Sequence, residues 1–195
     1  MPDLLTHYLS SYLVAQAFVK RRHAILIAFA GLLADLDALL RIHRWATHSL
    51  VTLLAVFTPL LLLLYIYRRE YLKIALVALL LYTLHIALDI FTAPTPALWP
   101  LAPSLWLRVE VNGASTTSGI AVTPTITATI KPVDFTQREA VEGPIISETG
   151  LALAITTAIL TATQNLANKK RNPSKRAGRY AVATKCTAMC CKLKP

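Results

Sequence analysis

The chain contains few charged residues, since Asp, Glu, Lys and Arg make up 15% of its 195 residues and hydrophobic residues make up 55%. Its mean hydropathy of +0.52 is too high for an ordinary soluble domain. Cysteine is scarce too, and Cys186, Cys190 and Cys191 all lie in the last ten residues. An odd number of cysteines crowded at one end argues against a disulfide framework and is typical of reduced thiols on a cytosolic tail.

Two apolar segments have the length and composition of transmembrane helices. Residues 48–67 contain no Asp, Glu, Lys or Arg, and residues 74–93 contain one acid and one histidine. Each is close to the roughly 20 residues that cross a bilayer. A third candidate, 150–167, is more polar, and the segments 4–19 and 23–40 are shorter. We therefore predict an all-α membrane protein, a bundle of four to five transmembrane or membrane-embedded helices.

The basic residues predict the orientation of these helices. Of the 20 Lys and Arg residues, 15 fall into three clusters, at 20–22, at 68–73 and in the tail from Lys169 to Lys194. The positive-inside rule places all three clusters in the cytoplasm. The chain is then a multi-pass protein of the plasma (inner) membrane, with its N-terminus outside and its C-terminus cytoplasmic.

Four regions follow from this scheme. Residues 1–93 form the helical membrane domain, 94–149 an external β-rich insertion, 150–167 the last transmembrane helix and 168–195 a basic cytoplasmic tail. Within the insertion, LWLRVEV and ITATIKP alternate as strands do, and Asn112-Gly113 between them is a turn signal. The insertion could cover a site or bind a partner, and a plain loop is an equal alternative. The basic tail suits anionic lipid, whereas no aromatic platform accompanies it, so nucleic acid is not an expected partner.

Most of the histidines and several aspartates fall at one predicted depth, near the outer ends of the helices. His85 and Asp89 are four residues apart and so share one face of a helix. Asp35 and Asp37 would diverge on a regular helix, but both could serve one centre if the helix ends near them. Carboxylates inside a bilayer require partners. The set is His7, Asp35, Asp37, His43, His48, His85 and Asp89.

Imidazole and carboxylate groups together suit a divalent ion, here zinc first, with manganese or iron as alternatives, and one or two ions. A structural interpretation also exists for each residue. Asp35 could cap a loop, and His85 with Asp89 could join two helices. Arg44 could hold a phosphate or carboxylate, or could contact lipid headgroups. Thr47 and Ser49 could support the ligands or cap the following helix.

At these residues the chain resembles the YdjM-like membrane-bound metal-dependent hydrolases. The matching motifs are Thr6-His7, Gly31 with Ala34-Asp35-Leu36-Asp37, His43-Arg44-Trp45-Ala46-Thr47-His48-Ser49, His85-Ile86-Ala87-Leu88-Asp89-Ile90-Phe91-Thr92 and Trp99-Pro100. The resemblance covers roughly residues 1–101. Two positions depart from the pattern, because Ala34 replaces a proline and Trp45 replaces a glycine. The family is itself similar in its His/Asp pattern to zinc-dependent phospholipases C, which implies hydrolysis of a phosphoester or lipid headgroup.

Two functions from different classes follow. In the first, the chain is a metal-dependent hydrolase at the outer membrane surface, with membrane lipid around it and a lipid or phosphoester as substrate. Asp37 would then act as a ligand or general base, and Arg44 would bind the substrate anion. In the second, the chain is a non-enzymatic membrane protein, whose polar or metal cluster is structural and whose external segment binds a partner.

Overall fold

The structure is a computed structural model, and it describes residues 3–42, 44, 46–117, 119–132, 136–137, 139 and 145–171. The predicted ligand His43 and the cysteine-containing part of the tail lie outside the described residues. The chain divides into two compact units, Met1–Ala154 and Ile155–Pro195. The first unit contains every described histidine and aspartate of the predicted set.

The described chain is mostly helical, with one small antiparallel sheet. Helix α1 (Leu4–Phe18) is followed by α2 (Arg21–Ile27), a 3-10 helix (Ala28–Asp35) and the short α3 (Leu36–Leu39). A second 3-10 turn (Ala46–His48) leads into α4 (Leu50–Tyr67), and a third (Arg69–Tyr71) joins α4 to α5 (Leu72–Thr92). Strands β1 (Leu105–Thr116) and β2 (Gly119–Ile130) precede α6 (Glu148–Arg171).

Within the described residues, three segments are long and apolar enough to cross a membrane: Leu50–Tyr67, Arg69–Thr92 and Glu148–Ala167. They correspond to the three apolar segments that the sequence identified. Four of the eight leucines of α4 are exposed, such as Leu54 at 55% and Leu62 at 57%. Contiguous apolar surface of this kind is expected where a helix faces lipid. The predicted bundle is thus matched for three helices, while α1, at 15 residues, reaches only about 22 Å.

The segment 23–40 is not one continuous α-helix, which corrects our expectation. It is α-helical only to Ile27 and from Leu36, with the eight-residue 3-10 helix between. The 3-10 helix lies in close contact with α1 at Gly31, because a Cβ on Gly31 would overlap the hydroxyl of Ser11 and lie 2.8 Å from its Cβ. The tighter 3-10 winding occurs mostly in short stretches and often marks functional positions. Here the 3-10 winding determines the positions of the Asp35 and Asp37 side chains at its C-terminal end.

Helix α5 lies against α1, the 3-10 helix Ala28–Asp35 and α4. One group of buried side chains joins α1, α2 and α5, including Tyr12, Ala24 and Leu81. A second group joins the 3-10 helix, α4 and α5 around Ala34, Leu53 and Ile86. Burial of these side chains stabilises the contacts between the helices by roughly 25 cal/mol per Å² of apolar area.

Strands β1 and β2 form an antiparallel hairpin, as the alternation predicted, but the predicted turn is wrong. Asn112 pairs with Thr123 and Gly113 with Val122, so both lie within the ladder. The strands run on until Thr116 pairs with Gly119. Gly119 has φ of 132°, a conformation that L side chains rarely adopt. The reversal therefore occurs beside a different glycine.

Candidate metal centre

Five structural elements of the first unit bring six of the seven predicted residues together. The seventh, His43, lies outside the described part of the chain. Because the residues come from separate elements, their meeting depends on the whole helical unit. α1 contributes His7, the end of the 3-10 helix Asp35, α3 Asp37, the turn before α4 His48, and α5 both His85 and Asp89.

Three ligand atoms form a nearly equilateral triangle. Oδ1 of Asp35 lies 3.6 Å from Nε2 of His48 and 3.5 Å from Nε2 of His85. The two Nε2 atoms are 3.4 Å apart. Tetrahedral ligands at about 2.0–2.2 Å from a zinc ion are separated from one another by about 3.3–3.6 Å. The triangle therefore has the dimensions of one face of such a site, and these residues form a group that can hold a metal ion.

The ring of His85 is held by the 3-10 helix. Its Nδ1 lies 2.6 Å from the carbonyl oxygen of Gly31. A carbonyl oxygen can only accept, so Nδ1 carries the hydrogen and Nε2 of the neutral ring is left with a lone pair. The ring of His7 stacks on the ring of His85, with 3.8 Å between the two centroids. His85 thus presents Nε2, and only Nε2, to the triangle.

The ring of His48 is held in the same way by Asp37. Nδ1 of His48 lies 3.1 Å from Oδ2 of Asp37, and the hydroxyl of Thr47 donates to that same oxygen at 2.7 Å. Tyr82 fixes this turn by donating to the carbonyl of Thr47 at 2.8 Å. A carboxylate that orients a histidine ligand in this manner is a common feature of metal sites.

Asp89 joins the triangle to two further side chains. Its Oδ2 lies 3.2 Å from Nε2 of His48 and 3.7 Å from the Arg44 guanidinium, and its Oδ1 lies 3.4 Å from Nε2 of His7. Oδ2 is buried and makes no hydrogen bond with the described residues. His7, His85 and Asp89 form a second group that can hold a metal ion. Since His85 has one available nitrogen, one ion at a time can use it.

The cluster contains more negative than positive charge. Three carboxylates lie within about 4 Å of His48 or Arg44, and Arg44 is their one permanent cation among the described residues. Burial alone would lower the pKa of His48, yet the carboxylates of Asp35, Asp37 and Asp89 raise it to about 10. Burial likewise lowers the pKa of Arg44, and the same carboxylates partly offset this. Such a site favours an additional positive charge, which a proton on His48 or a bound cation could supply.

The side chains of the cluster differ in their exposure to solvent. The side chains of His7, His48, His85 and Asp89 are at most 2% exposed, whereas that of Asp35 is 19% exposed. Solvent therefore reaches the triangle from the side of Asp35.

The structure also distinguishes Thr47 from Ser49. Thr47 supports Asp37, whereas Ser49 caps α4 by accepting from the backbone N–H of Thr52 at 3.2 Å. Two backbone groups were missed in the sequence, the carbonyls of Gly31 and of Pro94, the latter accepting from Arg44 at 3.0 Å. Every residue has a backbone carbonyl, so the residue type does not indicate which carbonyls take part in a site. The position of Gly31 within the family motif was the one available signal.

These features define a helical membrane protein with buried His/Asp groups able to hold a metal ion. The chain belongs to the YdjM inner membrane protein family, whose model matches residues 1–168. The match extends beyond the motif region and covers the β hairpin as well. No curated protein and no solved structure was found to match the chain.

Proposed function

We propose that this protein is a membrane-bound, divalent-metal-dependent hydrolase acting on a phosphoester or lipid headgroup at the membrane surface. The observation that carries the proposal is the triangle of Asp35, His48 and His85, with pairwise distances of 3.4–3.6 Å. Its two nitrogens are oriented for coordination by groups behind them, and the excess of carboxylates favours a cation.

Asp35, His48 and His85 would hold the ion, with Asp89 as the fourth group. When bound, a zinc, manganese or iron ion would supply Lewis acidity for attack on a phosphoryl or acyl centre. The open side at Asp35, which is 19% exposed, is where a substrate would reach it. His7, paired with Oδ1 of Asp89, would fix that carboxylate or serve a second ion.

The structure favours a positioning role for Asp37 over the alternatives of ligand and general base. Its Oδ2 already accepts from Thr47 and faces Nδ1 of His48. Arg44 would balance the charge of Asp89 and offer its remaining N–H groups to an anionic substrate. A guanidinium suits this task because its planar donors match phosphate oxygens.

Two observations support a lipid as the substrate. The cluster lies where α4 begins and α5 ends, at one end of two membrane-spanning segments. An apolar cavity of about 170 Å³ lies beside Thr47, lined by α4 and α5 side chains that include Leu53, Phe57 and Tyr82. A cavity of this character suits part of an acyl chain.

We also propose that the cluster end of α4 and α5 faces outward, with the C-terminal tail in the cytoplasm. The basic residues Arg68 and Arg69 at the opposite ends of these helices support this orientation. A membrane-impermeant thiol reagent should then label Cys186, Cys190 and Cys191 in spheroplasts only after permeabilisation. Labelling of intact spheroplasts would reverse the orientation.

The rival function is a non-enzymatic membrane protein with a structural cluster. Mutual ion pairs within the cluster, such as His7 with Asp89 at 3.4 Å, favour it. Metal content followed by a substrate screen separates the two functions.

The deciding experiment is elemental mass spectrometry on the detergent-purified protein. We expect one or two ions per chain in the native protein and loss of the ion in Asp35→Asn and His85→Gln. The matched control is His23→Ala, because His23 is an exposed histidine outside the cluster. Folding of each variant is checked by size-exclusion chromatography.

A loaded protein that hydrolyses phospholipid or model phosphoesters, with the hydrolysis lost in Asp35→Asn, would establish the enzyme. A loaded protein without turnover on such substrates would favour the structural role. A folded native protein that takes up no zinc, manganese or iron would end the metal interpretation.

A further inference from the structure

The β hairpin has two faces of opposite character. In an antiparallel ladder, directly paired residues lie on the same face, and successive residues alternate between faces. The register therefore assigns each side chain to a face. We call the first the aliphatic face; it consists of Leu105, Leu107, Val109, Val111, Gly113, Ser115, Ile120, Val122, Pro124, Ile126, Ala128 and Ile130.

No charged residue occurs among these twelve positions, and Ser115 is their one polar side chain. The opposite face contains the Arg108–Glu110 ion pair at 2.9 Å and threonines at 123, 125, 127 and 129. Trp106, Ala114 and Ala121 also lie on the opposite face, so the sorting keeps charged residues off the aliphatic face and places all four threonines of β2 on the other. Such sorting is expected of an element that separates water from an apolar phase.

Most of the aliphatic face is uncovered within the described chain, although Leu105, Leu107 and Val109 in the first part of β1 are partly buried. Its large side chains Val111, Ile120, Val122, Ile126 and Ile130 are between 55% and 82% exposed. A two-stranded hairpin alone is marginally stable in water. Exposed contiguous apolar surface marks a protein or membrane contact.

The base of the hairpin lies at the boundary of the membrane-spanning helices. Thr95 exchanges two backbone hydrogen bonds of 2.9 Å with Leu107 in β1. Two residues on, the carbonyl of Ala97 accepts from the backbone N–H of Leu50, the first residue of a membrane-spanning segment, at 2.9 Å. The aliphatic face therefore begins at the level where the bilayer begins.

The dimensions of the face favour lipid over a second copy of the chain. Twelve residues at about 3.3 Å each and two strands about 4.8 Å apart give a face of roughly 400 Å². Two such faces packed together would bury about 800 Å² in total, below the roughly 1,200 Å² of a stable protein interface. Contact with the bilayer does not require this minimum buried area, because the hairpin is already attached to membrane-spanning segments at its base.

We propose that the hairpin lies on the membrane surface at the end of the bilayer where the cluster is, with its aliphatic face in contact with lipid. The opposite face of the hairpin, which contains the threonines of β2 and the Arg108–Glu110 pair, then points to water. The backbone groups at the edges of the sheet remain at headgroup depth, where water satisfies them, as hydrocarbon could not. This inference does not depend on the metal centre or on any hydrolytic activity.

The test places one fluorescent label on each face of the full chain. In a background with the three native cysteines changed to serine, Ile126→Cys and its neighbour Thr125→Cys are labelled with an environment-sensitive dye. Both proteins are reconstituted into vesicles of phosphatidylcholine and phosphatidylglycerol. A nitroxide on the lipid should quench the dye at Ile126→Cys several-fold more than at Thr125→Cys, and aqueous iodide should show the reverse order.

A second matched pair, Val122→Cys and Thr123→Cys, repeats the comparison farther from the base, in case one variant fails to fold. Equal quenching within both pairs would overturn the proposal. Protection of the aliphatic face from iodide without quenching by lipid, lost when the protein is diluted into excess lipid, would overturn it in favour of a second copy.

Discussion

The position of Gly31 provides the sharpest test of how the cluster is built. Replacing Gly31 by alanine adds one methyl group where the 3-10 helix meets α1. That carbon would overlap Oγ of Ser11 and lie 2.8 Å from its Cβ. Ser11 is 1% exposed and sits within α1, so it has little freedom to move away. The two elements must separate.

The expected loss of stability follows from two opposing terms. Overpacking a buried contact costs about 1–3 kcal/mol. Alanine regains at most about 1 kcal/mol of helical propensity relative to glycine. The contact therefore dominates, and we expect a net destabilisation of up to about 2 kcal/mol.

Gly31→Ala should weaken metal binding as well as folding. The carbonyl of Gly31 holds Nδ1 of His85 at 2.6 Å, so any shift of the 3-10 helix releases the ring. Loss of a group that orients a ligand typically lowers metal affinity about 10–100-fold. We expect Gly31→Ala to lower zinc affinity in this range, measured in detergent by competition with a chromogenic chelator.

A double variant provides the control. Ser11→Gly removes both atoms that the new methyl group would meet, and costs roughly 0.5 kcal/mol in helix propensity. Gly31→Ala/Ser11→Gly should therefore recover most of the zinc affinity that Gly31→Ala loses. If Gly31→Ala binds zinc like the native protein, or if the double variant restores thermal stability but not affinity, the assigned role of the Gly31 carbonyl is refuted.

Two further predictions follow from other contacts. Thr47→Val removes the hydroxyl that donates to Asp37 at 2.7 Å and should weaken zinc binding about tenfold in the same competition assay. The control Thr83→Val loses a hydrogen bond of 2.9 Å to the carbonyl of Leu79 and should leave zinc binding unchanged. Equal losses of affinity in the two variants would contradict the role of Thr47. Gly150→Ala would put a Cβ 2.7 Å from both carboxylate oxygens of Asp3 and should lower the free energy of unfolding by up to about 2 kcal/mol, since overpacking costs about 1–3 kcal/mol and alanine regains at most about 1 kcal/mol of helix propensity. Gly113→Ala, which meets nothing within 4 Å of the described chain, should leave the melting temperature unchanged, and a similar drop in both would contradict the contact between Gly150 and Asp3.

Local composition was sufficient to predict the long helices and the strands. α4 and α5 follow from uninterrupted apolar residues of bilayer length, and β1 and β2 from alternation. The i,i+4 spacing of His85 and Asp89 placed both on one face, and Nε2 of His85 does lie 3.9 Å from Oδ2 of Asp89. These features depend on neighbours in sequence, which is why the sequence alone reveals them.

Features that depend on distant contacts could not be predicted. The 3-10 winding at Ala28–Asp35 arises where Gly31 meets Ser11, twenty residues away. It explains how Asp35 and Asp37, which diverge on a regular helix, both reach His48, one at Nε2 and one at Nδ1. The hairpin turn was misplaced for a similar reason, because pairing along the ladder outweighs the preference of Asn112-Gly113 for a turn. The roles of the individual cluster residues stay predictions.

The position of the cluster along the chain bears on the order in which the protein is made. All its described members lie between His7 and Asp89, and the hairpin and α6 come later. Chains fold from the N-terminus during synthesis, at about 5–20 residues per second. The side chains of the cluster can therefore come together while roughly the last hundred residues are still being translated.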